Sequence, residues 1–317
     1  LKVDYETVKK YNPKLIYCDN TAWGRSGPDS HRPGYDLIAQ AMSGLMAAEN
    51  KVNNGVPQQI QSTAVADYTT GLGMAWSICA ALYHREKTGK GQKIETTLLA
   101  SALNVQNGRF FESETFDSEI RSDFKNTLTE MRKSGESYDN ILEEYQKLSS
   151  KTVHNHYYRT YQAKDGIIAV ACLSETLRKK FADVHKVHDI RFEENYDPYS
   201  DETYNFNEKL VPTFESLMKK KTVKDWLDIF VKVGVPAGPV NFVEELVDHP
   251  QITENDLVKN IDHPLLGNIK MVGPLLKMSE TPLSVRRAAP DLGEHTKEIL
   301  KSLGFDSKFI SELTDTE

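Results

Sequence analysis

Residues 62–92, STAVADYTTGLGMAWSICAALYHREKTGKGQ, form the longest weakly charged run in the chain, and an aspartate, Asp67, stands at its head. From Gly71 to Tyr83 the run has almost no polar face, and Gly71, Gly73, Ala75, Ala80 and Ala81 let another backbone approach closely. That pattern predicts a core helix over 71–83. It closes in REKTGKGQ, where Gly89 or Gly91 can take the left-handed conformation of a helix cap, and the chain leaves as the strand-like KIETTLL. The result is one αβ step.

Toward the N-terminus, VDYETVKKYNPKLIYCDNTAWGRSGP predicts an amphipathic helix stopped near Asn12-Pro13, a strand KLIYCDNTAW and a Gly/Pro loop from Gly24 to Pro28. The chain opens at Leu1 on what reads as the end of a helix, with no signal-peptide pattern, so a preceding segment is expected. GYDLIAQAMSGLMA predicts a helix whose apolar positions 37, 38, 41, 42, 45 and 46 share one buried face. Residues 112–151 are heavily charged, and the spacing in YDNILEEYQKL predicts a solvated helical excursion, with disorder as the alternative.

YYRTYQAKDGIIAVACL predicts a β-hairpin turning at Lys164-Asp165-Gly166, followed by a helix from about Glu175 to Val184. Two further helices follow, the second starting after a Thr222 cap and ending at Gly234. The Gly-Val-Pro-Ala-Gly-Pro-Val stretch, 234–240, reads as a rigid extended connector, and GEHTKEILKSLGF as a closing helix.

The 317 residues suffice for two domains or one elaborate one. A net charge of -7 without a basic patch argues against nucleic acid as a partner, and the apolar runs are too short for a membrane anchor. Cys18, Cys79 and Cys172 are odd in number and far apart, which suits a reducing cytoplasm better than a disulfide framework.

Asp67 has two readings. As a helix cap it would accept backbone N–H bonds from the first turn; as a reactive group it would be an ionised, anchored carboxylate able to attack a thioester and form an acyl-aspartyl anhydride. Asp36, just after Pro33-Gly34, reads as a second cap and Tyr35 as an aromatic at the core edge. If both helix starts converge, Asp36 would position a carboxylic acid beside Asp67. His154-x-His156 has no third ligand at metal-binding spacing, so no metal is assigned, and TGKGQ lacks the GxxxxGK[ST] pattern of a phosphate loop.

YNPKLIYCDNTAWGRSGP, PGYDLIAQAMSGLM, ADYTTGLGMAWSICAALYHREKTGKGQKIETTLLASAL, GVPAGPV and DHPLLGNIKMVGPLLKMSETP together resemble the class III CoA-transferase family, which includes formyl-CoA, carnitine and succinate-hydroxymethylglutarate CoA-transferases and also α-methylacyl-CoA racemase. The resemblance implies an α/β fold: a Rossmann-like large domain, N-terminally truncated, over 1–115; a charged helical insertion over 116–150; a smaller α+β domain over 151–240; and a return to the large domain over 241–317.

It further implies an interlocked homodimer. Asp67 takes the place of the acyl-accepting nucleophile, with Asp36 and Tyr35 at the substrate and Leu98 at a position that touches CoA. The implied substrates are CoA thioesters and small carboxylic acids, with no tightly bound cofactor. Racemases of the family carry a histidine where this chain has Tyr35, so transfer is favoured over racemisation. A racemase or epimerase and a catalytically incomplete fragment remain the alternatives.

Overall fold

The weakly charged run folds as a 24-residue helix, Val65–Thr88, and the strand after it, Gln92–Thr97, lies parallel to Ile16–Thr21 in register from Ile16↔Gln92 to Thr21↔Thr97. Parallel strands need a long crossover, and the stretch carrying this helix supplies it. The computed structural model describes residues 2–115, 118–147, 155–198 and 200–314 of a mixed α/β chain, which divides into two units, Leu1–Val153 and His154–Glu317.

In the first unit, Gly89 at φ +73° ends the long helix, its N–H donating to the Arg85 carbonyl at 2.7 Å. Gly91 then passes against the start of the first strand so closely that a Cβ on it would lie 2.0 Å from the Leu15 carbonyl oxygen. The helix Leu98–Asn104 follows, capped by Thr97 Oγ1, which accepts from Ala100 N at 2.8 Å. Thr70 Oγ1 donates to Ser101 Oγ at 2.7 Å, tying this helix to the long one inside the core. Ala39, Ala66, Leu98 and Ala102 form the buried contact of three helices, and the small alanine side chains allow the close approach.

Two expectations are corrected here. The segment 34–47 is not one helix: Asp36–Met42 and Leu45–Glu49 are separated at Gly44, which takes φ +83°. Its first half buries Ala39 and Gln40 and leaves Leu37, Ile38 and Met42 exposed, because the face packed on the long helix is the alanine side rather than the larger apolar stripe. The long helix is likewise not buried all round. Ala66, Thr70 and Ala81 are covered, whereas Tyr68, Leu72, Trp76 and Tyr83 form an exposed apolar stripe, Trp76 being 72% exposed. The charged segment is helical over Ser118–Ser134 and Tyr138–Lys147, whose rings Phe124 and Tyr145 meet at 5.6 Å.

In the second unit the expected hairpin pairs Tyr158–Gln162 with Ile167–Ala171, and the Gly/Pro connector contributes a third strand, Ala237–Pro239, on the outer side. Pro239 is tolerated there because an edge strand does not need every N–H. Helices Glu175–His185, Asp201–Met218 and Val223–Val233 belong to this unit, the last opened by a Thr222/Asp225 capping box and closed by Gly234 at φ +74°, as expected from the sequence. Its core is aromatic: Tyr157, Tyr161, Phe181, Phe214, Trp226 and Phe230 are all buried. The remainder holds a hairpin of Val258–His263 with Gly267–Val272 and two helices, Thr296–Ser302 and Ser307–Thr314. His154 of the His-x-His pair lies outside the described residues; His156 is buried, its Nε2 at 3.2 Å from Asn207 Oδ1.

His185 sits in this aromatic core, its Nδ1 at 2.7 Å from the Phe181 carbonyl oxygen and its ring stacked on Trp226. Burial pushes its pKa below the usual histidine value. The unfolded chain therefore takes the proton first, so the neutral ring's contribution is complete above about pH 6.5 and is lost as the pH falls toward the depressed value. His185→Gln should flatten the pH dependence of stability below about pH 6.5, removing a slope of at most ~1.4 kcal/mol per pH unit, as denaturant titration will show. In the first unit, Gly91→Ala should lower the stability by about 2 kcal/mol or more, since the obstructing atom is backbone and cannot rotate away. Thermal unfolding measures that loss.

Candidate active site

The start of the long helix has no capping side chain of its own. Its N-cap is Ala64, so the first-turn N–H groups need an acceptor from elsewhere. Asp36 supplies it: Oδ1 accepts from Ala66 N at 2.7 Å and from Asp67 N at 3.3 Å. Asp36 is the first residue of its own helix but caps the neighbouring one, and Tyr35, at the N-cap position of the Asp36 helix, makes no side-chain cap bond. The partial positive charge of the long helix's N-terminus makes this a favourable seat for an anion.

Asp67 does not cap a helix beginning near Gly71. The helix starts earlier, at Val65, which places Asp67 in its first turn with an exposed side chain. Among the described residues its carboxylate makes no hydrogen bond or ion pair, and it lines an open hollow of about 360 Å³ together with Tyr68, Gly71 and Leu72. Gly71 keeps that surface low, with open space where a Cβ would stand.

Other carboxylates of the unit are differently occupied. Arg25 grips Asp19 through two hydrogen bonds at 2.7 and 2.9 Å and holds its carboxyl below the usual range, while Asp36 is committed to the helix start. Of these three carboxylates, Asp67 alone has neither oxygen engaged among the described residues.

The helix starts of Asp36 and Asp67 thus converge. Tyr35, 78% exposed, is adjacent in the chain but does not line the hollow. Leu98 is 7% exposed and packs in the alanine-rich core beneath the long helix. Sequence reasoning missed Gln40, which is fully buried and donates from Nε2 to Asp36 Oδ2 at 2.5 Å while its Oε1 accepts from Ile60 N at 2.9 Å. The sequence pattern places Gln40 opposite the expected apolar face of LIAQAM, so no local signal marked it. Among the described residues no cluster of three or more His, Cys, Asp or Glu side chains is arranged to hold a metal ion, and no helix is long and apolar enough to cross a membrane.

The chain belongs to the CoA-transferase family III, whose model matches residues 1–296. It is 31% identical over 312 residues to the succinyl-CoA:glutarate CoA-transferase of Homo sapiens, covering 98% of this chain and 64% of that protein. It is 30% identical over 309 residues to the acetyl-CoA:oxalate CoA-transferase of Acetobacter aceti, covering 95% and 69%. The chain thus spans somewhat less than two thirds of the human relative's length. Among solved structures, a CAIB/BAIF family protein from Brucella suis superposes with a TM-score of 0.63 at 26% identity, covering 95% of this chain and 71% of that one. Rv3272 from Mycobacterium tuberculosis superposes at 0.70 with 19% identity, covering 93% and 72%, a likeness of fold.

Removing the acceptor at Asp36 exposes the dependence directly. Asp36→Ala should destabilise the first unit by about 1 kcal/mol or more, because the Ala66 N–H and the Gln40 amide both lose their acceptor; the shift in denaturant midpoint measures it.

Proposed function

We propose that the chain is a CoA-transferase in which Asp67 carries the acyl group. An oxygen of Asp67 attacks the thioester carbonyl of an acyl-CoA; the C–S bond breaks, CoA leaves as thiolate and a mixed anhydride forms. The thiolate attacks the Asp67 carbonyl, releasing the donor acid and leaving CoA as a thioester on Asp67. An acceptor carboxylate then displaces the thiolate to give a second anhydride, and the thiolate attacks the acceptor's acyl carbon. The acceptor departs as its CoA ester and the Asp67 carboxylate is restored. One thioester replaces another, so the cycle consumes no ATP and no net proton.

The observation that supports this reading most strongly is the free Asp67 carboxylate on a helix turn fixed by Asp36, facing an open hollow. In the proposal Asp36 helps position the reacting carboxylates through the helix turn that its oxygens hold, and Tyr35 lines the substrate pocket outside the Asp67 hollow. Leu98 is assigned a CoA contact through the family resemblance alone; with 7% of its surface exposed, that contact falls to its backbone or to the small open edge of its side chain. A formyl-CoA-transferase-like subtype, a Rossmann-like large domain, the four-part division of the chain, interlocked paired chains, the lack of a tightly held cofactor and a cytoplasmic site of action belong to the same proposal. Relatives named for succinyl-CoA with glutarate and acetyl-CoA with oxalate make short dicarboxylates the first acceptors to test.

The racemase reading asks for a second acid/base on the opposite face of the α-carbon, at the place where this chain has Tyr35. It predicts exchange of the α-hydrogen with solvent deuterium in the absence of an acceptor; transfer predicts none.

Incubation with a panel of acyl-CoAs followed by hydroxylamine should leave a hydroxamate on the Asp67 peptide, read by mass spectrometry, and Asp67→Asn should lower turnover by at least about a thousandfold. An unlabelled peptide under verified turnover would exclude covalent catalysis at Asp67.

A further inference from the structure

We propose that Gln40 is a positioning residue for this chemistry: it fixes the Asp36 carboxylate and, through it, the helix turn that presents Asp67. The inference rests on Asp67 being the acyl acceptor. Gln40 is 0% exposed and its amide is engaged at both ends. Oε1 accepts from Ile60 N at 2.9 Å, and Nε2 donates to Asp36 Oδ2 at 2.5 Å, with the Ile60 carbonyl oxygen a further 3.5 Å neighbour.

This arrangement has only one workable orientation. A backbone N–H can only donate, so the amide oxygen must face Ile60 N; turning the amide over would set two N–H groups against that donor and an oxygen against a carboxylate. Nε2 therefore meets Asp36 Oδ2, while the other Asp36 oxygen receives Ala66 N at 2.7 Å. The chain of bonds runs Ile60 N–H to Gln40, Gln40 to Asp36, and Ala66 N–H back to Asp36. With both oxygens assigned, the carboxylate cannot rotate about its Cβ–Cγ bond. Without the Gln40 donor it is held at one oxygen, and the 3.3 Å contact with Asp67 N is the first to fail. A displaced attacking group slows the chemical step more than it weakens substrate binding.

Two variants separate positioning from packing. Gln40→Leu removes the donor to Asp36, and with it the acceptor of Ile60 N, without adding charge, and should lower kcat about tenfold to a hundredfold with KM little changed. Gln40→Glu keeps the shape and the acceptor for Ile60 but sets a carboxyl oxygen against Asp36 Oδ2, an arrangement that requires a shared proton. Its activity relative to the unmodified chain should therefore rise as the pH falls, because the protonated glutamic acid restores the donor.

Hydrogen exchange of the Ala66 and Asp67 amides, followed by NMR, supplies a readout independent of turnover; in Gln40→Leu both should exchange about tenfold faster. Absence of acyl-Asp67 in the unmodified chain would sink the acyl-acceptor reading and the catalytic part of this proposal, with the exchange data still judging the link to Asp36. Unchanged exchange in Gln40→Leu, or a Gln40→Glu variant with the original pH profile and full kcat, would overturn the positioning role itself.

Discussion

A carboxylate at the start of one short helix closes the N-terminus of another. Val65–Thr88 begins at an alanine that can offer no side-chain acceptor, and Asp36, some thirty residues earlier, accepts from Ala66 and Asp67 instead. Because the acceptor arrives through tertiary contact, the position of the helix start depends on the packing of the two helices. That packing is made by Ala39 against Ala66 with Leu98 and Ala102, the three alanines being too small to hold the backbones apart. The first turn of the long helix, and Asp67 with it, is therefore fixed by the same contacts that make the core of the first unit.

This constraint also divides the labour among the acidic groups. Asp19 is neutralised by Arg25, and Asp36 spends its oxygens on a helix start and on Gln40. Asp67 has neither obligation and stands beside an open surface hollow. A nucleophilic carboxylate must be anchored by its backbone and unencumbered at its oxygens, and these requirements conflict when a single residue caps its own helix. In the proposed mechanism, lending the capping role to Asp36 resolves the conflict. Membership of CoA-transferase family III, matched over residues 1–296, gives that arrangement a chemical setting.

Features specified locally could be read from the sequence. Gly89 and Gly234 end helices in left-handed conformations, Thr222 caps one, and the hairpin closes around Asp165-Gly166, each decided within a few residues. Asp36, Tyr35 and Asp67 were legible as candidates, but not the bond from Asp36 to the long helix, since a cap borrowed from another helix leaves no local spacing. Periodicity misled at Leu37, Ile38 and Met42: it detects an apolar face without saying which surface covers it. The strand at Ala237–Pro239 was hidden because glycine and proline carry little strand propensity and are admitted there by the edge position. Gln40 was hidden because its role is defined by two partners distant in the pattern, Asp36 one helical turn back and Ile60 in a loop.

The central claim, that the oxygens of Asp67 take part in acyl exchange, is tested most directly by the fate of those oxygens. With an acceptor acid labelled in its carboxylate by heavy oxygen, each complete cycle should leave one labelled atom in the Asp67 side chain, because the acceptor's oxygen bridges the second anhydride and stays behind when CoA takes the acyl carbon. The account predicts heavy oxygen in the Asp67 peptide after turnover and in no other side-chain carboxylate of the protein, and in the released donor acid from the second cycle on. Sustained CoA transfer with an unlabelled Asp67 would contradict it.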